Sequence, residues 1–155
     1  MNEQITIQQL NLNQMRVFMG TLTDGVSIHA GLKEVALTHN IHTATFDMLG
    51  GLHAIELTAY DFERQERLEP VILRRPMEII AGHGTISQLD GQPYIHIHLV
   101  VSYREGEQIC VVGGHVAKAE AFAVEFTLSA YGDPSVKRGL HAKTGLMLWD
   151  LGNGR

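Results

Sequence analysis

The sequence predicts an α+β domain in which one main α-helix packs on a mostly antiparallel β-sheet. Three observations support this fold class: one segment has apolar residues at helical spacing, most other segments read as strands, and glycine-containing turn signals separate several of them. No linker, repeat or low-complexity segment interrupts the pattern. We therefore expect a single domain over residues 1–155, with its core at about 15–131 and an irregular tail at 132–155.

The first predicted elements are a strand and the helix. Residues 15–22 (MRVFMGTL) predict a strand that ends at the turn signal Asp24-Gly25. The segment SIHAGLKEVALTHN then has apolar residues at helical spacing. Ser27 or Asp24 is the expected N-cap, and Asn40 is the expected left-handed residue that ends the helix. No other long helix is expected.

The rest of the core predicts strands. Their sequences are TATFDML, LHAIELTAYD, VILR, MEIIAGHGTIS, PYIHIHLVVSY, EQICVVGGH and AFAVEFTLSAY. Turn signals lie between some of these segments, at Gly50-Gly51, Asp90-Gly91 and Glu105-Gly106.

The composition limits the compartment and the partners that we expect. The chain is 45% hydrophobic, and its formal net charge of −5 gives no bulk attraction for nucleic acid or an anionic membrane. Cys110 is the single cysteine, so an internal disulfide is excluded and a reducing cytoplasm is the expected location. The first residues do not resemble a signal peptide, and no stretch approaches the ~20 apolar residues of a membrane helix.

Two histidines in PYIHIHLVVS raise the question of a metal site. Side chains alternate along a strand, so Ile95, Ile97, Leu99 and Val101 share one apolar face while His96 and His98 share the other. A histidine in an apolar strand is usually a satisfied core residue. Here the apolar positions already account for the core face, which favours a function for the two imidazoles.

A third histidine follows from the next hairpin. If Glu105-Gly106 is the centre of its turn, His96 lies directly opposite His115. Three imidazoles suit zinc and leave one position open for water, a substrate or another ligand, which is typical of catalytic zinc. A three-residue loop, or a bulge at Gly113-Gly114, would instead turn His115 to the other face.

The same pairing rules place two further residues. In the hairpin register above, Cys110 lies opposite Val101 on the core face, as a small buried hydrophobe and not as a ligand. With Asp90-Gly91 as a two-residue turn, His83 lies opposite His98. His83 could line the metal pocket or be an exposed residue near a sheet end.

Two combined segments, GHGTISQLDGQPYIHIHLVVS and VVGGHVAKAEAFAVEFTLSAY, resemble the plants-and-prokaryotes-conserved (PPC) domain family. The resemblance rests on a Gly-x-Ile-Ser-like strand, an Asp-Gly turn, the His-x-His strand, a Gly-Gly-His and a following strand that carries a glutamate. The front half, from MRVFMGTLTDG to LHAIELTAYD, is similar to the opening strand, single helix and Gly-Gly turn of the family.

The resemblance implies an α+β sheet like that of acetolactate decarboxylase, a zinc enzyme, and a frequent assembly into homotrimers. It implies that His96, His98 and His115 bind the metal, with zinc expected and another divalent transition metal possible. It also implies a role for Glu125, as a partner of an imidazole or a general base. Taken alone, Glu125 stands on the polar face of its strand, with Phe122, Val124, Phe126 and Leu128 expected on the other.

Two departures from the plant members concern DNA binding. Their basic AT-hook of the Arg-Gly-Arg-Pro type is reduced here to LRRP at residues 73–76, without the glycine and without flanking basic residues. Their Gly-Arg-Phe-Glu-Ile-Leu segment corresponds to RPMEII, in which only Glu78 and Ile79 are identical. The partner contacts of the plant domains are therefore not transferred to this chain.

Three functions remain open from the sequence. The first is a metal-dependent enzyme acting on a small molecule, with Glu125 or His83 moving protons and Arg16 as a candidate to hold an acidic substrate. The second is a DNA-associated regulatory module, which would need a basic patch. The third is a trimeric metal-binding scaffold without turnover. The candidate basic patch consists of Arg64, Arg67, Arg74 and Arg75, interleaved with Glu63, Glu66 and Glu69.

Overall fold

The structure is a computed structural model that describes residues 9–10 and 12–152. The expectations for residues 1–8, 11 and 153–155, at the two ends of the predicted domain, lie outside the described residues. The elements in chain order are a 3-10 helix at Leu12–Gln14, β1 (Arg16–Leu22), α1 (Ile28–Thr38), β2 (Ala44–Thr58), β3 (Tyr60–Asp61), β4 (Glu66–Arg67), β5 (Val71–Leu89), β6 (Gln92–Glu105), β7 (Gln108–Ala130), β8 (Lys137–His141) and β9 (Leu146–Asp150).

The long strands close into a barrel-like sheet. Strand β7 pairs with β2, β2 with β5, β5 with β6, and β6 returns to the first part of β7. Strand β1 adds to the far end of β7, and β8 adds to the end of β5 through the one parallel pair, Gln88 with Lys137. The other ladders are antiparallel, so the predicted α+β class is confirmed.

The helix forms where its apolar spacing predicts it. Ser27 is the N-cap, and its hydroxyl accepts a hydrogen bond from the Ala30 N–H at 3.4 Å. Ile28 and Leu32 are fully buried against the sheet. Asn40 follows the helix with φ of 51°, the left-handed conformation that was expected there. In the described part of the chain, no helix is long and apolar enough to cross a membrane.

The predicted turn at Gly50-Gly51 is wrong, because both glycines lie inside the 15-residue strand β2. Gly50 has φ of 122°, and a Cβ on this residue would collide with the carbonyl oxygen of Ala123. The two glycines therefore allow an irregularity in the ladder and a close approach of β7, and they do not reverse the chain.

The same irregularity changes which side chains of β7 face the core. Leu52 pairs with Ala121 and Gly51 with Ala123, which leaves Phe122 as an extra residue between them. Phe122 is 57% exposed, so its expected place on the core face is wrong. Val124 is buried as expected, because regular alternation resumes after the bulge.

The expected irregular tail contains a hairpin. Strands β8 and β9 pair with each other from Lys137 with Asp150 to His141 with Leu146. Val136 anchors the start of this hairpin: its carbonyl accepts a hydrogen bond from the Gln88 N–H at 2.9 Å, and its own N–H donates to the Thr43 hydroxyl at 2.7 Å. The hairpin is thereby fixed against the end of β5.

Candidate metal centre

The two histidines of β6 lie on the face that the sequence predicts. Ile97, Leu99 and Val101 are at most 1% exposed and form part of the core. His96 is half-buried and His98 is exposed, both on the opposite face. Alternation along the strand is therefore confirmed, and the imidazoles are not core residues.

The predicted pairing of His96 with His115 is wrong by two residues. Glu105 pairs with Gln108, so the two-residue turn is Gly106-Glu107, with Gly106 at φ of 63°. His115 consequently pairs with His98. A shift of two residues keeps every side chain on its face, so the three imidazoles still converge.

The three rings form a compact triangle. Their centroids are 5.1 Å apart for His96 and His98, 5.0 Å for His96 and His115, and 5.3 Å for His98 and His115. His96 Nε2 and His115 Nδ1 are 3.1 Å apart and share a hydrogen bond. One ring nitrogen from each residue lies within 4.8 Å of the others, which is a separation that one metal ion can bridge.

His83 lies beside this triangle. It pairs with His98 across the β5–β6 ladder, as the Asp90-Gly91 turn predicts, and it is exposed. Burial is the largest cause that lowers the pKa of His98, and a positive charge on His83 would act in the same direction. It is not one of the three residues whose ligand atoms converge, so its expected part in proton transfer stays a prediction.

Glu125 lies at the other end of β7. It pairs with Thr21 of β1 and Leu49 of β2, ten residues along the strand from His115, or ~33 Å of chain at 3.3 Å per residue. The structure does not bring Glu125 together with the three histidines of the same chain. Its predicted catalytic role therefore remains a prediction.

Cys110 differs from its expected environment. It pairs with Tyr103 and not with Val101, and it is half-buried near the turn of the β6–β7 hairpin. Its Sγ is 3.9 Å from a carboxylate oxygen of Glu105. Among the described residues, it is not one of the three whose ligand atoms converge.

The residue that the sequence analysis missed is Arg138 of β8. Its Nη2 donates to His96 Nδ1 at 3.2 Å and to the Thr85 hydroxyl at 3.4 Å. Its Nε donates to the Ser87 hydroxyl at 2.8 Å, and its Nη1 donates to the Met147 carbonyl at 2.8 Å. The guanidinium is thus held rigidly beside the histidines. No motif or periodicity marks this residue, because its place depends on how the hairpin docks.

The hydrogen bond from Arg138 orients His96 and its protons. Since a guanidinium only donates, Nδ1 of His96 is the acceptor and its Nε2 carries the ring proton. Nε2 then donates to Nδ1 of His115. The chain of contacts from Arg138 through His96 to His115 is a continuous line of hydrogen bonds.

A second arginine flanks the other side of the triangle. Arg67 of β4 donates from Nη1 to the Thr58 hydroxyl at 3.3 Å, and Thr58 pairs with His115 across the β2–β7 ladder. The charge of Arg67 lowers the pKa of all three histidines. Arg16, the earlier candidate for binding an acidic substrate, instead donates to the carbonyls of His39 and Asn40.

The environment keeps the histidines neutral. Burial lowers the pKa of His96 to about 4, and the positive charges of Arg138 and Arg67 act in the same direction. Burial likewise lowers the pKa of His115 to about 4. Burial is also the largest cause that lowers the pKa of His98. Neutral imidazole is the form that binds metals, so this donor set fits a transition metal without first losing protons to solvent.

The comparisons with known proteins agree with this fold. A family model described as the Plants and Prokaryotes Conserved (PCC) domain matches residues 9–131. A solved metal-containing protein from Archaeoglobus fulgidus is 28% identical, with a TM-score of 0.84, over 94% of this chain and 99% of its own. A PPC protein from Pyrococcus horikoshii is 25% identical, with a TM-score of 0.83, over 94% and 97% of the two chains.

A candidate DNA-binding protein from Bacteroides thetaiotaomicron is 20% identical, with a TM-score of 0.78, over 87% of this chain and 92% of its own. At that identity the likeness shows the fold alone. A comparison with curated proteins found no significant match. The family match spans most of the chain and includes all three converging histidines, and the chain therefore belongs to the Plants and Prokaryotes Conserved (PCC) domain family.

Proposed function

We propose that the chain binds one divalent transition metal ion, with zinc as the first choice, through His96, His98 and His115. The observation that carries the proposal is the convergence of three ring nitrogens within 4.8 Å of one another. Imidazole ligands also suit nickel, copper and iron, so the donor set supports the class of metal more strongly than its identity. The Archaeoglobus relative, 28% identical, is described as metal-containing, which supports the same class.

We further propose that this site acts on a small molecule. Three protein ligands leave a coordination position open, and a zinc ion there would polarise a carbonyl or lower the pKa of a bound water toward ~7. Arg138 would orient His96, and His83, paired with His98, is the nearest candidate proton carrier in the same chain. Glu125 would need to reach the metal site of a neighbouring subunit to act as a base.

Metal analysis of purified protein tests the metal proposal. We expect about one equivalent of transition metal per chain in the wild type, and almost none after His96→Ala. The matched control is His42→Ala, because His42 is exposed, bonds to Asn40 and lies outside the converging group. Equal metal content in the wild type and in His96→Ala would contradict the proposal.

A DNA-associated role is the second candidate function. It is favoured by the description of the Bacteroides relative, which shares the fold. In this chain, however, Arg64 forms ion pairs with Asp61 and Glu66, and Arg75 pairs with Glu105. These pairs neutralise part of the basic patch. Filter binding to duplex DNA at 50 and 200 mM salt decides, because phosphate contacts predict a steep loss of affinity with salt.

We propose that the chain forms a homotrimer in the cytoplasm and that this assembly carries the metal site. Its support is an exposed apolar surface on β1 and β2, where Met19 is 84%, Val17 57% and Leu49 57% exposed. Light scattering after size exclusion should give three chains per particle. Met19→Glu should reduce this number, because a carboxylate would be buried at the contact. A monomeric wild type at micromolar concentration would contradict the trimer.

A further inference from the structure

The charges around the histidine triangle are unbalanced. Arg138 contacts His96 directly, and Arg67 is bonded to Thr58, the neighbour of His115. Among the residues that the structure describes, neither guanidinium forms an ion pair with a carboxylate, whereas Arg64 and Arg75 both do. The site therefore combines neutral imidazoles with two uncompensated positive charges.

We propose that the ligand of this site is a small oxyanion, a carboxylate or a phosphate group, bound at the metal and stabilised by the positive charges of Arg138 and Arg67. This inference rests on the proposed metal site and names the class of molecule that the site takes. Guanidinium groups match the planar oxygens of carboxylates and phosphates, and such hydrogen bonds are about twice as strong as neutral ones.

Arg138 is prepared for this role before any ligand arrives. Its side chain is half-buried, stacks 4.7 Å above the Tyr94 ring and is fixed by Ser87 and Met147. A fixed, partly dehydrated guanidinium binds an anion more strongly than one free in solvent.

Arg67 offers the second contact from the exposed side. In the described part of the chain, its side-chain hydrogen bond is the one to Thr58, so several of its N–H groups face solvent. Arg64 lies between β3 and β4, three residues from Arg67, and is paired with Asp61 and Glu66. This difference makes Arg64 a matched control for Arg67.

Anion binding to the cobalt-loaded protein tests the proposal. Cobalt(II) replaces zinc and gives visible absorption that changes when an anion enters the coordination shell. Acetate and inorganic phosphate are titrated separately into the wild type and into Arg67→Gln, Arg138→Gln and Arg64→Gln. We expect at least one anion to bind about ten-fold or more weakly in the first two variants, and within about two-fold of the wild type in Arg64→Gln.

Cobalt affinity is measured separately, so that a failure of the metal-site proposal can be distinguished from a failure of the oxyanion proposal. If the wild type binds no cobalt, both the metal site and this inference are overturned. If cobalt binds equally in all chains but neither arginine variant changes the affinity for either anion, the metal site stands and this inference is overturned. Arg67→Gln carries the test if Arg138→Gln does not fold, because Arg67 is exposed. The anion with the larger loss identifies carboxylate or phosphate as the preferred group.

Discussion

The two ends of strand β7 carry opposite kinds of surface. At its first end, His115 lies between β6 and β2, among imidazoles and two guanidinium groups. Toward the other end, Glu125 lies between β1 and β2, beside exposed Leu49 and near Met19, which is 84% exposed. One continuous strand therefore joins a polar centre that suits a metal to an apolar surface that suits another subunit.

This contrast separates two residues that the family resemblance joins. The resemblance assigns a role at the metal to the histidines and to Glu125, yet within one chain they face different surroundings. Three convergent rings define the metal end, whereas Glu125 pairs with Thr21 and Leu49 and has no imidazole among its strand neighbours. Substitutions at each end of β7 test whether the two ends also contribute independently to metal binding and stability.

The largest expected effect is on metal affinity at the histidine end. Replacing His98 or His115 by alanine removes one of three ligands, and we expect the affinity for zinc to fall at least about 100-fold. Competition with a chromogenic chelator measures this affinity. A loss of less than about ten-fold in both variants would show that the three rings do not share one ion.

Replacing a glycine by alanine should lower the stability by different amounts near the two ends of β7. A Cβ on Gly84 would collide with the backbone oxygen of His96 and with the Phe46 ring, whereas a Cβ on Gly20 would meet only the Phe126 ring. We expect Gly84→Ala to lower the free energy of unfolding by about 3 kcal/mol and Gly20→Ala by about 1 kcal/mol, because a backbone cannot move aside as a ring can. Urea unfolding measures both, and a larger loss for Gly20→Ala would contradict this reasoning.

The metal-free protein should lose stability in mild acid because of its histidine end. The pKa of His96 and of His115 is about 4 in the folded chain and 6.5 in the unfolded chain. Between these values the unfolded chain binds more protons, so the free energy of unfolding falls as the pH drops from about 6.5 to about 4. Above and below that pH window, His96 and His115 should not change the free energy of unfolding further.

Chemical unfolding at several pH values measures this dependence. The double variant His96→Asn and His115→Asn should show a flatter profile between pH 4 and 6.5, since two depressed pKa values are removed. An unchanged slope in the double variant would mean that other groups cause the acid loss.

The smallest effect is expected for Glu125 itself. We expect Glu125→Gln to change the free energy of unfolding by less than about 0.5 kcal/mol, because the side chain is exposed. Zinc affinity should stay within about two-fold of the wild type. A ten-fold loss of zinc affinity would place Glu125 in the metal site of an adjacent subunit and remove the separation of the two ends.

The sequence predicts the faces of the strands better than their ends. His96 and His98 are separated from Ile97 and Leu99 by alternation alone, which does not depend on the neighbouring strand. The sequence predicts the partner of His115 two residues away from its place in the structure, because Gly106 takes the first position of the turn and a sequence does not fix that choice. The Gly50-Gly51 pair predicts a turn because a bulge and a turn both need the positive φ of Gly50.

Arg138 could not be predicted from the sequence for a different reason. Its contacts with His96, Thr85 and Ser87 depend on the docking of the β8–β9 hairpin against β5. Such long-range placement leaves no periodic signal in the chain. The face on which the three converging histidines lie follows from local alternation, whereas the groups that surround them follow from tertiary packing.

X-ray absorption at the zinc edge of the zinc-loaded protein tests the central claim most directly. The account predicts one zinc per chain with three imidazole nitrogens at about 2.0–2.1 Å, and their number should fall in the His115→Ala variant. Zinc bound without imidazole scattering, or with the same number of imidazoles after that substitution, would contradict it.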